Sequence, residues 1–412
     1  MRKFLLISAL TLAGLSTAIS ADSQRLSPTV GLPLNHPGIL VDTALLNFVK
    51  ARLDTQPWKD AFAQAKDSKW AAEDYKATPF ATVECGSGST NPRVGCFEEM
   101  DDAAATYTQA LLWSYTGNAQ YAANVRSVLL AWATTLTGGH QASNGPLQAA
   151  WTAALFSRGL EIVDEGYTGW LPDERAKVKK MLTEQHLPTI KQMFISGSLC
   201  HNKNWHATAI EAMANIGIVT DDRGLFDEAI RRWHQLVPAY IYDEQDDNRP
   251  PNAPWCRLDD DRIKAHWHFP KHYVKGLSQE TCRDLAHTSM GLAAIINVAE
   301  TARLQGVDLY SKEQQRIVAA LELHSAQMNG NIPQPLCKAP IRENISGTFE
   351  IAYNHYALRK GVNMPGTQTF LAKKRPQVGA FHLRWETLTH GLTGSLQGNR
   401  WPIHTHIELS RR

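Results

Sequence analysis

The sequence lacks any strong bias of charge, because 42 Lys and Arg residues stand against 40 Asp and Glu residues in a chain of 412. No basic run indicates nucleic-acid binding, so an anionic partner would have to meet a local cluster of cations. No stretch of residues is apolar for long enough to span a membrane. No closely spaced cysteine pair and no HExxH motif occurs, so we expect neither a metal nor a cofactor.

The first residues have the order of a secretory signal peptide. Arg2 and Lys3 precede an apolar run over residues 4–15, and small residues follow as far as Ala21. This pattern predicts a signal peptide at residues 1–21, cleaved near Ala21, and a periplasmic or secreted mature protein.

The six cysteines are an even number, as expected in an oxidising compartment. Cys85 and Cys96 flank a loop rich in Gly, Ser, Asn and Pro, which a short disulfide could close. The pairing of the other four stays open at this level.

Beyond residue 21 the pattern is typical of an all-α protein, with little strand alternation. A Thr-Gly-Asn cluster at residues 116–118 predicts a break between two helices. Helices are predicted at residues 42–64, 101–136, 146–164, 172–194, 204–219, 224–242, 280–305 and 312–327. Short connections between them favour paired helices in an incomplete (α/α) toroid or barrel. We predict one domain over residues 22–412, with a loop-rich tail at 361–412 packed on it.

Two loops are candidates for function. Residues 244–275 form a long polar segment rich in Asp, His, Trp and Pro, and loops of this length inside a domain are commonly functional. Residues 137–145, TGGHQASNG, contain glycines that permit close approach of the backbone to a ligand. We assign Asn144 in this loop to substrate binding.

Arg283 and His287 are four residues apart in a segment whose apolar residues follow another register. Leu285 and Leu292 belong to a stripe at helical spacing, so Arg283 and His287 would share a different face. A cation and a titratable imidazole on one face suggest a site for an anionic substrate, although an ordinary solvated face fits the spacing as well.

Residues 278–310 resemble a signature of the alginate-lyase-like polysaccharide lyases, an RD-x-x-H-x-x-x-GL run followed by AE and QGxDLY. Further matching segments follow the same order along the chain: HPGIL at 36–40, YTQALLWSYTGNAQYA at 107–122, KNWH at 203–206 and FEIAYNHY at 349–356. The resemblance implies an α/α-toroid fold and β-elimination of an anionic polysaccharide built from uronic acids.

Such a reaction removes the proton on C5, next to a carboxylate, and expels the O4 leaving group. Donors must neutralise the carboxylate and stabilise the enolate-like intermediate. A base and an acid are also required. In a β-linked mannuronate or glucuronate the C5 hydrogen and O4 lie on the same side, so one residue can serve in turn as both.

The resemblance assigns the carboxylate-neutralising role to Asn204 and His206. The family usually has Asn directly before His, whereas Trp205 intervenes here. Two positions apart on a helix point to nearly opposite faces, so both reach one cleft only if Asn204 precedes the helix. Alternatively, Asn204 is an N-cap and His206 packs beside Trp205.

The resemblance makes Arg283 the arginine near the substrate carboxylate, or else a partner of nearby acidic residues. His287 is expected to act as a base or second neutraliser. Some relatives have a tyrosine seven residues after the arginine, where this chain has Met290. Tyr273 is our first choice for that role, provided that Arg283 lowers its pKa; the next choices are Tyr353 and Tyr242.

A further group of polar and aromatic residues is expected to bind the substrate. These residues are His201, Trp205, Tyr353, Asn354 and His355. Core packing is the alternative explanation for each tryptophan.

Three other functions remain open. The many histidines, including His266 and His268, would suit a metal-dependent enzyme, and chelation would then abolish activity. Glu280, Asp284 or the acidic residues 259–261 would supply the carboxyl groups of an α/α-barrel glycoside hydrolase, which leaves no unsaturated product. A non-catalytic protein would bind a polyuronate without cutting it. We favour an exported lyase for a β-1,4-linked polyuronate, either mannuronate-rich alginate or glucuronan.

Overall fold

The computed structural model describes residues 33–195, 200–331, 335–341, 345, 349–377 and 379–392. The predicted signal peptide and the last twenty residues of the predicted tail lie outside the described residues. Within these ranges, no helix combines the length and the apolar character that crossing a membrane requires.

The described chain is mostly helical, with three very short strands. The α-helices are α1 Thr43–Lys50, α2 Trp58–Lys66, α3 Cys96–Thr116, α4 Ala119–Thr135, α5 Gly145–Asp164, α6 Glu174–Met181, α7 Leu187–Gln192, α8 Lys203–Val219, α9 Arg223–Tyr240, α10 Asp260–His266, α11 Leu285–Leu304, α12 Gln314–Met328, α13 Glu350–Tyr353, α14 Pro365–Lys374 and α15 Glu386–His390. The strands are β1 Val83–Cys85, β2 Arg93–Val94 and β3 His140–Gln141, and π-helical segments occupy Leu182–His186 and Asn354–Arg359.

Local sequence explains several of these boundaries. Gly117 ends α3 in the left-handed conformation, with φ 73°, and the side chain of Asn118 caps α4 by accepting from the Gln120 N–H. The break predicted at residues 116–118 is therefore confirmed. The predicted helix over 42–64 is instead two helices, because Pro57 stands between α1 and α2.

Four helices, α3, α5, α8 and α11, form an inner layer whose side chains are buried almost all round. They run parallel. Gln148 near the start of α5 donates to the carbonyl of Cys96 at the start of α3, 2.9 Å away, and Gly159 further along α5 packs against Thr106 of α3. Because α4, α6–α7, α9 and α12 return in the opposite direction, the amino ends of the inner helices share one side of the fold. This arrangement of helix pairs is the predicted α/α toroid.

The carboxyl-terminal described segment fills the space between the inner helices. The Arg158 side chain of α5 donates to the carbonyl of His382, 2.7 Å away, and the Trp385 indole donates to Thr108 of α3, 2.8 Å away. His382 Nε2 lies 3.0 Å from the carbonyl of Met290 in α11, and Phe381 stacks on Trp151 at 4.2 Å. Residues 381–385 thus contact three inner helices at once.

Three disulfides, Cys85–Cys96, Cys200–Cys256 and Cys282–Cys337, account for all six cysteines. The predicted closure of the loop between Cys85 and Cys96 is confirmed. That disulfide joins β1 to the start of α3, beside a small sheet in which β1 pairs antiparallel with β2 and parallel with β3.

Candidate active site

The candidate site lies at the amino end of α8, where the segment before α11 packs against it. Gln279 accepts from the backbone N–H of Lys203 at 2.8 Å, and its amide donates to the carbonyl of His266. Cys200–Cys256 and Cys282–Cys337 lie beside the two segments. Each disulfide ties one of these segments to a distant part of the chain, Cys200 to Cys256 and Cys282 to Cys337.

Glu280 is the centre of this contact. Its carboxylate is fully buried and accepts from the Asn204 amide at 2.7 Å through each oxygen, and from Arg283 Nη1 at 2.9 Å. Burial raises the pKa of Glu280, while Asn204 and Arg283 oppose the rise. Glu280 therefore orients an arginine whose side chain remains 32% exposed.

His287 and Asp284 form a second unit next to Arg283. The Asp284 carboxylate accepts from His287 Nδ1 at 2.8 Å and caps α11 by accepting from the His287 backbone N–H, also at 2.8 Å. Burial alone would raise the pKa of Asp284, but the hydrogen bonds from His287 lower it to about 2. The imidazole is 31% exposed, and among the described residues its Nε2 makes no hydrogen bond. Nε2 therefore keeps a lone pair directed away from Asp284.

His268 feels the charge of Arg283. Its backbone is in the left-handed region, with φ 58°, and its Nε2 is buried without a partner in the described chain. Desolvation, followed by the charge of Arg283, lowers the pKa of His268 to about 4. The ring is therefore neutral near pH 7 and can donate or accept a hydrogen bond in the site.

Lys203 lies buried on the other side of Glu280. Its ammonium group is 3.1 Å from His266 Nε2, and burial lowers the pKa of Lys203 to about 7 while Glu280 acts against this change. His266 is held neutral, since desolvation and then Lys203 lower its pKa to about 3. The Lys203 amine therefore gives up its proton far more readily than an exposed lysine.

His201 and Trp205 form a partly exposed aromatic platform beside this cluster. Their rings stack at 4.5 Å with an interplanar angle of 5°. Both side chains keep some solvent exposure, as a surface that packs against a sugar ring requires.

Arg283 and His287 are neighbours for a different reason from the one that helical spacing predicted. α11 begins at Leu285, so Arg283 precedes the helix and the two residues do not share a helix face as expected. Asp284 ends the extended segment by capping α11, which is why the helix starts five residues later than predicted. The buried stripe containing Leu285 and Leu292 is confirmed.

The structure places Asn204 and His206 in the interior beside the site. Asn204 lies inside α8, whose N-cap is Asn202, and its side chain is fully buried against Glu280. His206 is also fully buried: its Nε2 lies 3.1 Å from the carbonyl of Met193, and burial holds its pKa well below the usual value. Neither side chain reaches the exposed surface beside Arg283, so Asn204 positions Glu280 and His206 lies in the wall behind.

Tyr273 packs in a cluster of its own. Its ring packs against Tyr242 at 5.3 Å and Trp267 at 5.5 Å in a separate apolar cluster. Burial raises the pKa of Tyr273, and the arginine that opposes the rise is Arg249. The condition that Arg283 lowers this pKa is not met. Tyr242 is buried in the same cluster, with its hydroxyl donating to the carbonyl of Asp247.

Tyr353, Asn354 and His355 belong to the opposite end of α11. His355 stacks on Tyr310 at 3.8 Å, and the Tyr310 hydroxyl bonds Glu300. Glu300 is sixteen residues beyond Asp284, roughly 24 Å along the helix. Asn354 is fully buried and donates to the carbonyl of His390, and Tyr353 is buried beside it. These three residues therefore do not line the site.

Asn144 is bound to the loop that the first disulfide closes. Its side chain donates to the Ser89 hydroxyl at 2.7 Å, and its backbone N–H donates to the carbonyl of Cys85. Asn144 holds the loop of the first disulfide and is buried.

Sequence reasoning did not assign Glu280, Asp284, His268, Lys203 or His266 to the favoured mechanism. Asp284 is part of the RD pair in the family signature, and an acidic residue three before a histidine at a helix start is a recognisable cap. The contact of Glu280 with Asn204 spans 76 residues and has no local signal. Of the potential metal ligands in this region, Cys200 and Cys256 lie within reach of His266, but their disulfide removes the thiolates.

Comparison with known proteins supports the fold and the class. Residues 53–244 match the family model described as Alginate lyase. Alginate lyase A1-III from Sphingomonas species A1 is similar at 16% identity and a TM-score of 0.59, over 87% of this chain and 100% of that chain. A complex of alginate lyase A1-III with a tetrasaccharide gives 18% identity and a TM-score of 0.56, over 80% and 92%.

An alginate lyase from Bacteroides ovatus is similar at 14% identity and a TM-score of 0.55, over 87% of this chain and 100% of that chain. The comparison with curated proteins found no match. The ring of paired helices is the fold of these solved structures, and residues 53–244 resemble the alginate lyase family.

Proposed function

We propose that this enzyme cleaves a β-1,4-linked polyuronate, either mannuronate-rich alginate or glucuronan, by β-elimination after export from the cell. The observation that carries the proposal is the adjacency of an oriented, partly exposed Arg283 to a carboxylate–imidazole pair, Asp284 and His287. The solved relatives are named as alginate lyases, and one of them binds a tetrasaccharide.

Arg283 is the group that neutralises the substrate carboxylate. Glu280 engages Nη1, which leaves donors of the guanidinium available to a carboxylate. His268 faces the same cation as a neutral imidazole and can donate a second hydrogen bond. Both groups stabilise the negative charge that develops on the carboxylate once the C5 proton is removed.

His287 is the group that transfers the proton. Because Nδ1–H is donated to Asp284, Nε2 can accept the C5 proton as a base. The electron pair of the C5–H bond forms the C4=C5 double bond, the C4–O4 bond breaks, and O4 takes the proton back from Nε2. The same residue acts twice because C5–H and O4 of these sugars lie on one side.

A hydrolase is less consistent with these residues. Glycoside hydrolysis needs two carboxyl groups that face the glycosidic bond. Glu280 is fully buried between Asn204 and Arg283, and Asp284 is ionised and bound to His287. Neither carboxyl group is placed to donate a proton to a leaving group.

Export is supported by the leader-like order of residues 1–21 and by the three disulfides. Disulfides in this number are typical of proteins that mature in an oxidising compartment.

The test is the ultraviolet absorbance of unsaturated uronate ends, measured with polymannuronate, polyguluronate, glucuronan and hyaluronan. We expect activity on polymannuronate or glucuronan, and loss by orders of magnitude in Arg283→Ala with an unchanged circular dichroism spectrum. Shorter fragments without absorbance would indicate hydrolysis, and retention of polymer without fragments would indicate a binding protein. Wild-type rates in Arg283→Ala would remove this residue from the site.

A further inference from the structure

A buried cluster outside the candidate active site joins three separate segments. Glu99 lies in the first turn of α3, His140 in β3, and His186 at the end of the π-helical segment before α7. All three side chains are fully buried. Glu99 Oε1 is 2.8 Å from His140 Nε2 and 3.3 Å from His186 Nε2, and the two rings are 4.6 Å apart.

The other ring nitrogens face backbone carbonyls. His140 Nδ1 lies 3.2 Å from the carbonyl of Gln185, and His186 Nδ1 lies 3.4 Å from the carbonyl of Met181. A carbonyl oxygen only accepts, so each Nδ1 has to carry a hydrogen. The second carboxylate oxygen of Glu99 accepts from the Gln148 amide at 3.0 Å.

Protons alone satisfy this cluster poorly. With hydrogens on both Nδ1 atoms, both neutral imidazoles point an Nε2 lone pair at Glu99 Oε1, which is itself an acceptor. Protonating Glu99 satisfies only one of these two contacts. Placing hydrogens on both Nε2 atoms creates two buried cations, 4.6 Å apart, against a single carboxylate.

We propose that Glu99, His140 and His186 bind a divalent transition-metal ion, best matched by Zn²⁺, through Oε1 and the two Nε2 atoms. Every polar atom then has a partner: the two Nδ1–H groups donate to backbone carbonyls, and Gln148 donates to the free carboxylate oxygen. Hydrogen bonding of the second imidazole nitrogen to a carbonyl is the usual support for a histidine ligand.

The geometry requires only a small adjustment. Ligand atoms about 2.0–2.2 Å from a tetrahedral zinc ion lie roughly 3.3–3.5 Å apart. The His186 contact, at 3.3 Å, already has this spacing, and the His140 contact, at 2.8 Å, has to open by about half an ångström. The set of two imidazoles and one carboxylate suits zinc better than magnesium or calcium.

The site is structural, since its ligands are buried away from the exposed Arg283 and His287. It fastens the loop of residues 137–145 and the π-helical segment to the start of α3. The wider turn of the π-helix ends at His186, and such segments often mark functional positions.

The test is metal analysis of the purified full-length protein after dialysis against Zn²⁺ and removal of free metal, with wild type, Glu99→Gln and His186→Ala. His266→Ala is the matched control, because it removes a histidine from the other histidine-containing group of potential ligands. We expect one equivalent of zinc in wild type and in His266→Ala, at least tenfold less in the other two variants, and a lower melting temperature when wild type is chelated.

Cobalt replacement in wild type provides a measurement that needs no variant, because tetrahedral Co²⁺ with nitrogen and oxygen ligands absorbs visible light intensely. A wild type that retains no zinc and shows no cobalt spectrum would overturn the proposal. The proposal would also be overturned if wild type and Glu99→Gln bound equal amounts of zinc. It would be overturned too if His266→Ala were the one variant that lost zinc.

Discussion

Glu280→Gln tests whether the buried carboxylate orients the arginine of the site. Both carboxylate oxygens accept from the Asn204 amide nitrogen, and Oε1 also accepts from Arg283. A glutamine offers one oxygen and places an NH₂ group against other donors, so Arg283 loses a charge-assisted hydrogen bond worth about 1.5–3 kcal/mol. If that energy orients Arg283 in the transition state, kcat falls roughly 10- to 150-fold.

The thermal stability of Glu280→Gln depends on a second effect, the burial of the Glu280 charge. Burial raises the folded-state pKa of Glu280, so its contribution is favourable below the unfolded pKa and is lost as pH rises through the folded value. At neutral pH the ionised group is therefore a cost, which glutamine removes. We expect Glu280→Gln to lose less stability at pH 7.5 than the broken hydrogen bonds alone would cost, because the substitution also removes a buried charge.

Glu211→Gln is the matched control. Glu211 is also fully buried, it pairs with Arg158 and accepts from Asn297 at 3.1 Å, and burial raises its pKa to about 7. It lies in the middle of the inner layer, away from Arg283. Initial rates from uronate absorbance should fall in Glu280→Gln and stay within about twofold of wild type in Glu211→Gln. Unchanged kcat in a folded Glu280→Gln protein would refute the positioning role.

Three further outcomes follow from the same region. Asp284→Asn keeps the cap of α11 but removes the carboxylate that His287 binds, so turnover should fall about 100-fold or more while thermal stability stays close to that of wild type. Asp284→Ala also removes the cap, and a denaturant titration should show that it costs about 1 kcal/mol more stability. Lys203→Met should be more stable than wild type below pH 7, and this gain should shrink from pH 7 to 10.5, because the lysine pKa is lowered to about 7 by burial; a gain that grows with pH would contradict the assignment. Replacing Cys282 and Cys337 by serine should remove up to about 4 kcal/mol of stability, given a separation of 55 residues; full stability without the disulfide would contradict this estimate.

The ring of helices was predictable because its signals are local. Apolar residues at helical spacing, such as Leu285 and Leu292, and a turn cluster at Gly117 mark elements that the structure reproduces. The start of α11 was placed too early, since apolar spacing does not show that Asp284 caps the helix.

The geometry of the candidate site could not be predicted from the sequence, because it depends on contacts between residues that are far apart along the chain. Arg283 and His287 were proposed from the motif and from helical spacing, and the helix face that spacing predicted for them is absent because α11 begins at Leu285. Burial of His206 and Tyr273 depends on packing against Trp255 and Trp267, which no local pattern encodes. Spacing also could not show that Asn204 turns toward Glu280.

The segment that fills the ring has a consequence for the order of synthesis. Trp385 meets Thr108 across 277 positions, and His382 meets Arg158 across 224. These contacts therefore form only after residue 385 has left the ribosome. A nascent chain that cannot finish its interior early remains suited to being threaded through a translocation channel, as the export proposed for this enzyme requires.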